Sequence, residues 1–270
     1  MTNETTWFAA NRAMWDERAP IHAAGPFYDL EGFKSGRDSI RPYETPEVGD
    51  VSGKSLLHLQ CHIGLDTLSW ARRGAAVTGL DFSAPALVVA RELAADMGMT
   101  AEFVEANVYD AVEALSGRQF DVVYTGIGAI CWLPDIRRWA HVAAALVKSG
   151  GFFYITETHP FASMLGDDNL TATYDYFRGI DRPFEWNDAG SYATAEATQH
   201  NQSFEWPHPL GAVVMALIEA GLRLELLHEH DFVVWKRWPF LEKSDFDTYR
   251  LPDGMPRLPL MYSIRASKPL

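Results

Sequence analysis

The chain has 270 residues, enough to bury the core of one large α/β domain or two small ones, which excludes a disulfide-stapled mini-protein. Its 36 acidic residues against 23 basic ones leave a net charge of −13, which repels phosphate backbones and anionic lipid surfaces, so neither nucleic acid nor membrane is an expected partner. Apolar residues make up 47% and aromatics 13%, a globular composition rather than a disordered one.

The opening stretch, Met1 to Pro20, mixes Glu4, Arg12, Asp16, Glu17 and Arg18 with Trp7, Phe8 and Trp15. It lacks a continuous apolar core, so no signal peptide is expected, and residues 1–50 read as an N-terminal helical cap segment. From Ser55 the pattern alternates between short apolar runs and helical periodicity, the signature of a parallel sheet with crossover helices. A strand is predicted over Leu56–Cys61, a helix over Leu65–Arg73, and a second strand over Ala76–Phe82. Ser83 is placed to cap the next helix and Pro85 suits its first turn. Leu87, Ala90, Leu93, Ala94 and Met97 line one face, and Gly98 stops it.

Strands follow at Glu102–Val108 and Asp121–Ile130, a helix at Pro134–Val147, and a fifth strand at Gly151–Thr156 after the turn Lys148–Gly151. Residues 161–209 have no clean period and carry Tyr174, Tyr176, Phe184, Trp186, Tyr192, Phe204 and Trp206; such a segment reads as an inserted lid. A helix Leu210–Ala220 and strands Leu222–Leu227 and Met261–Ala266 complete the chain. These two strands are expected to pair antiparallel around a connection holding Trp235, Trp238 and Pro239. The domain division expected is thus a cap (1–50), a cofactor-binding core (51–160), a lid (161–209) and a completing helix and strand pair (210–270).

In an open parallel sheet the ligand lies beyond the carboxyl ends of the strands, so the turn after the first strand is the place to search. It reads His58-Leu59-Gln60-Cys61-His62-Ile63-Gly64. A dinucleotide fold wants glycines where Gln60 and His62 stand, because a pyrophosphate needs close backbone approach. Side chains there suit a ligand that presents an amino acid group instead. Asp81, at the end of the second strand, is placed to accept from two ribose hydroxyls; Phe82 is placed to lie on an adenine, and Asn107 to read its edge. An adenosine carrying an amino acid is S-adenosylmethionine.

Here the sequence resembles the class I S-adenosylmethionine-dependent methyltransferases, over about Val51 to Thr158 plus the closing helix and strand pair. The family's first motif resembles Leu57–Gly64, its ribose-binding acid matches Asp81, its adenine-contact position matches Asn107 and Val108, and its fourth-strand motif resembles Phe120–Leu133, with Gly126 inside it. The usual acid of the first strand is His58 here, and the first two glycines are Gln60 and His62. The string Leu56–Arg72 is similar to a subgroup of bacterial small-molecule methyltransferases with such a variant loop. The resemblance implies a doubly wound, mostly parallel seven-stranded α/β sheet with an antiparallel last strand. It implies S-adenosyl-L-methionine held by Gln60, Cys61, His62, Gly64, Asp81, Phe82, Asn107, Val108 and Gly126, with Trp15 and Tyr28 folded over it.

His159, Tyr174 and Tyr176 are the candidate catalytic residues: His159 follows the fifth strand and titrates near neutral pH, and the tyrosines sit in the lid. Trp132 and Glu157 are candidate substrate contacts. His58, alternating with Leu57 and Leu59, reads as a structural histidine, and Cys61 and Cys131 as reduced core thiols of a cytoplasmic protein. No metal is expected, since no Cys or carboxylate stands at ligand spacing beside His58 and His62. Expected partners are a small-molecule substrate and, among assemblies, a homodimer. Breakage of a different carbon–sulfur bond with release of methylthioadenosine, or adenosyl sensing without chemistry, are the alternatives to methyl transfer.

Overall fold

The computed structural model describes residues 3–179, 181–193 and 197–270. Helix α1 (Asn3–Ala24) is followed by two short helices, α2 (Leu30–Lys34) and α3 (Glu44–Val48). Alternating strands and helices come next: β1 (Ser55–Leu59), α4 (Leu65–Arg72), β2 (Ala76–Asp81), α5 (Ala84–Asp96), β3 (Glu102–Glu105), α6 (Ala111–Ala114), β4 (Phe120–Thr125), α7 (Ile136–Leu146) and β5 (Val147–Thr158). The remainder is α8 (Pro160–Ser163), β6 (Phe184–Asn187), β7 (Gln202–Glu205), α9 (Leu210–Glu219), β8 (Arg223–His230), β9 (Phe232–Val233), β10 (Glu242–Ser244), β11 (Thr248–Arg250) and β12 (Met261–Ser267).

Seven strands form one sheet in the order β3-β2-β1-β4-β5-β12-β8. All pairs from β3 to β5 are parallel, and β12 runs antiparallel to both β5 and β8. Strand order reverses between β1 and β4, which opens a crevice at their carboxyl ends. Leu57, Leu59, Val123, Phe153 and Ile155 face one core with Trp139 and Ala143, while Leu56, Val122, Tyr124 and Tyr154 face the other with Trp70. This is a Rossmann-like α/β fold. Local chemistry accounts for its best-marked helix: Ser83 Oγ accepts from Ala86 N, Pro85 occupies the first turn, and Ala86, Leu87, Ala90, Leu93 and Ala94 are buried.

Several strand boundaries differ from those expected. Strand β1 ends at Leu59, because Gln60 turns left-handed. Strand β3 stops at Glu105, and Asn107 caps a single 3-10 turn. Strand β4 stops at Thr125, and the chain then turns through Gly126–Ala129. The expected turn Lys148–Gly151 lies inside β5, where Val147 pairs with Phe120 and Phe152 with Val122, so the four residues between bulge out. A Cβ on Gly151 would sit 2.7 Å from the Asp121 carbonyl oxygen, which explains a glycine there.

Residues 161–209 hold the antiparallel hairpin β6–β7, and the connection between β8 and β12 folds into a small sheet of order β10-β11-β9. Its strands are two or three residues long, too short to leave a period in the sequence. Trp238 and Val233 from this connection pack with Ala162, Leu165, Leu260 and Met261 in a core of their own.

Candidate active site

The turn after β1 keeps a glycine-loop backbone without its first two glycines. Gln60 (φ 57), His62 (φ 49) and Gly64 (φ 80) are all left-handed. Only the third position demands glycine, since a Cβ at Gly64 would lie 2.8 Å from that of Ala90. The other two are held by partners: Gln60 Nε2 donates to the Ala129 carbonyl at 2.8 Å, and His62 N donates to Asp81 Oδ2 at 2.8 Å. Such non-glycine residues cost on the order of 1 kcal/mol each and persist where the surroundings fix them. Gln60 Oε1 is buried and has no hydrogen-bond partner among the described residues.

Asp81 ends β2 with its other oxygen accepting from Ser83 N at 2.9 Å. Each oxygen accepts a protein N–H, and the carboxylate keeps a lone pair for a further donor. Burial pushes its carboxyl up to about 6, even though the backbone N–H groups of Ser83, His62 and Phe82 favour the charge. Phe82 lines the main cavity and also a small adjoining slot, which Asn107, Val108, Ala106, Phe8 and Asn11 complete. Asn107 Oδ1 accepts from Tyr109 N.

On the far side of the turn, near Gly126, a polar cluster faces the same cavity. His58 lines the cavity with its Nδ1 2.9 Å from Thr67 Oγ1, and burial lowers its pKa to about 4, so the ring is neutral. Asp66, from the first turn of α4, takes a hydrogen bond from the Tyr124 hydroxyl (3.4 Å) and lies 4.0 Å from Arg41. Asp66, Arg41 and Ser39 all line the cavity. None of the three is marked by a motif; only the position of Asp66 just after Gly64 hints at a ligand contact.

Helix α1 and the lid cover this site together. The Asn11 side chain, 1% exposed, donates to the Phe204 carbonyl (2.9 Å) and accepts from Phe204 N (2.8 Å), stitching α1 to β7. Trp15 meets His62 and Trp132 edge-on, with ring centroids 5.1 and 5.3 Å apart. His22 touches His62 and Tyr28, and the hydroxyls of Tyr28 and Tyr192 are hydrogen-bonded. The cavity beneath them measures about 830 Å³. Its outer part is walled by Tyr174, Phe184, Trp186, Trp206 and Trp235, and carries Arg18, Arg237 and Glu205. Burial raises the Glu205 carboxyl to about 7, and the side chain has no hydrogen bond among the described residues.

Of the residues singled out in the sequence, Trp15, Tyr28, Gln60, Cys61, His62, Gly64, Asp81, Phe82, Gly126, Trp132, Glu157 and Tyr174 line the main cavity. Asn107 and Val108 line the slot. His159 and Tyr176, the other two catalytic candidates, are not among the residues that line the cavity. His159 caps α8: its Nδ1 accepts from Phe161 N at 3.0 Å, and its Nε2 faces Glu229 at 3.0 Å. The Tyr176 hydroxyl accepts from Leu210 N at the start of α9. Glu157 is committed to backbone: its oxygens accept from Gly128, Ala129, Ile130 and Thr158 N–H groups, fixing the turn after β4 rather than offering a free carboxylate to a substrate. Cys61 is buried, and burial raises both cysteine thiols, so neither is a thiolate at neutral pH. Glu205, Arg18 and Arg237 escaped sequence reasoning, because nothing local distinguishes them from surface charge.

Residues 57–153 match a methyltransferase domain family. Over 132 residues the chain is 36% identical to a ubiquinone biosynthesis O-methyltransferase from Erwinia tasmaniensis; the match covers 47% of this chain and 54% of that enzyme, so the chain spans about half the length of the curated relatives it matches. In structure it is similar to a SAM-dependent methyltransferase from Methanosarcina mazei (TM-score 0.56, 17% identity, 87% of this chain and 100% of that one). A second similar structure is an S-adenosylmethionine-dependent methyltransferase from Listeria monocytogenes (TM-score 0.54, 18% identity, 84% and 96% covered). Those two likenesses establish the fold, and residues 57–153 within it carry the methyltransferase-domain match.

Proposed function

We propose that the chain transfers a methyl group from S-adenosylmethionine to an oxygen, nitrogen or carbon nucleophile on a small molecule, within the variant-loop subgroup. One observation carries this reading: the left-handed turn at residues 60–64 and the buried Asp81 carboxylate, joined by the His62 N–H, face one cavity large enough for donor and acceptor together. The orphaned Gln60 Oε1 and the glycine demanded at position 64 fit a ligand laid against this turn.

When bound, the sulfonium supplies an electrophilic methyl. The chain aligns, encloses and manages charge, for which positioning alone is worth up to about 7–11 kcal/mol. In this reading Asp81 accepts from the ribose hydroxyls, Phe82 and Val108 flank the adenine, and Asn107 reads its edge. Asp66 takes the ammonium and Arg41 the carboxylate of the methionine end. Trp15, Tyr28 and Trp132 exclude water, and Glu205, raised to about 7, accepts a proton from the acceptor. Tyr174 borders the acceptor space.

The four-part division of the chain, a cap, core, lid and closing pair, is proposed with this function, supported by the stitching of α1 to β7. A homodimer is proposed on the outer edge of β8, which has no strand beyond it among the described residues and carries exposed Leu227; light scattering reads it. Residence in the cytoplasm is supported by the free thiols of Cys61 and Cys131, and no helix among the described residues is long and apolar enough to cross a membrane. The relatives, named as methyltransferases, favour neither cleavage of another carbon–sulfur bond nor sensing without turnover.

Mass spectrometry of the spent cofactor tests the reading. S-adenosylhomocysteine is the expected product; methylthioadenosine, or no conversion with any acceptor extract, would contradict it.

A further inference from the structure

Two arginines line the cavity without an ion pair among the described residues. Arg18, on α1, donates one NH2 contact to the Asp188 carbonyl at 3.2 Å; Arg237 lies over the Trp238 ring at 4.9 Å and reaches the Leu165 carbonyl at 3.4 Å. Neither forms an ion pair among the described residues, and the Nε of each is buried without a hydrogen-bond partner. A half-buried guanidinium left unpaired is costly, so sites that keep two of them in one cavity do so for an anion.

The nearby acids do not cancel this charge. Asp167 and Asp188 stand at exposed positions, where solvent screens them. Glu205 interacts with both arginines over a distance, yet burial still outweighs them and holds it toward its neutral form. Arginines placed to serve Glu205 would have lowered its carboxyl instead. Burial also lowers the pKa of Arg18 and Arg237, the mark of cations short of compensation.

The walls add shape. Tyr174, Phe184 and Trp186 meet one another with centroids 5.4 to 5.7 Å apart and line the same space. Resting on the methyltransferase reading above, we propose that the acceptor is a small aromatic or similarly flat carboxylate, its anionic group held by Arg18 and Arg237 and its apolar body laid against Tyr174, Phe184 and Trp186. A flat carboxylate, rather than a tetrahedral phosphate ester, suits a space lined by the planar rings of Tyr174, Phe184 and Trp186. Guanidinium forks match carboxylates in plane.

Calorimetry on the full chain tests this in two stages. S-adenosylhomocysteine is titrated first; if it gives no heat, the methyltransferase reading falls and takes this proposal with it. The saturated protein is then titrated with benzoate, benzamide, benzylammonium and phenyl phosphate. Benzoate is expected to bind at least about tenfold tighter than benzamide, the loss of one charge-assisted hydrogen-bond pair. Arg237→Met and, separately, Arg18→Met should each weaken benzoate by about tenfold or more while binding S-adenosylhomocysteine as the parent does, which also shows that they are folded. Benzoate binding no better than benzamide, benzylammonium or phenyl phosphate binding more tightly, or both variants retaining benzoate would overturn the proposal.

Discussion

At the end of β1 the cavity is held by backbone, whereas across from it, between α1, the β6–β7 hairpin and the connection after β8, it is held by side chains. The first half fixes three consecutive alternate residues in the left-handed region and ties them to Asp81 through an N–H. The second half depends on contacts such as Asn11 with Phe204, 193 residues apart, and on arginines from opposite ends of the chain. Under the proposed function the difference teaches that donor binding is a local property of one βαβ unit, while acceptor choice belongs to the whole tertiary fold. The two halves are therefore expected to fail separately.

The largest separation should come from Glu205→Gln. Loss of a proton acceptor costs about 10²–10⁴-fold in turnover, with S-adenosylhomocysteine affinity unchanged. If turnover is unaffected, the acceptor half has been assigned the wrong base.

Asn11→Ala attacks the seam between the halves. It leaves the Phe204 N–H and carbonyl unpaired in a buried place, at a cost of about 2–4 kcal/mol in thermal unfolding. Hydrogen exchange should rise over residues 202–206 and stay low in β1 and β2; uniform acceleration would mean that the halves are not separable.

Acidity distinguishes the halves from the donor side. In the proposed reading ribose binding needs Asp81 ionised, and its carboxyl is held near 6, above the ordinary 3.8, by burial first and by Asp16 last. Affinity for S-adenosylhomocysteine should thus fall about tenfold per pH unit below about 6 and level off above it. Stability of the unliganded chain has the opposite sign, because the folded state holds this proton more tightly. That contribution weakens as pH rises from about 4 through about 6. A flat affinity profile from pH 5 to 8 would place the charge elsewhere.

The smallest effect is expected at the strained turn. Gln60→Gly relieves left-handed strain of about 1 kcal/mol but loses the bond to Ala129, also about 1 kcal/mol, and adds chain entropy in the unfolded state. Net change should stay under about 1 kcal/mol, measured by denaturant unfolding. A larger loss would mean that Gln60 holds more of the loop than that one bond.

The donor half was legible because its signals are local: Ser83 and Pro85 start α5, Asp81 ends β2, and Gly64 stands where only glycine fits. Even there, chemistry was easier to read than length. Asn107 was taken into a strand that ends two residues earlier, since a residue that caps a 3-10 turn and one that ends a strand look alike in sequence. His159 looked well sited because it follows β5, yet the cap of a four-residue helix turns its ring away from the cavity. Arg18, Arg237 and Glu205 gave no signal, because each acquires meaning only when segments far apart in the chain meet.

The most direct test is a calorimetric titration of S-adenosylhomocysteine into the parent chain and Asp81→Ala. The account predicts one site per chain, weakened about a hundredfold by the substitution, since two hydrogen bonds to a charged group are lost. Equal affinity in the two proteins, or no binding to either, would contradict it.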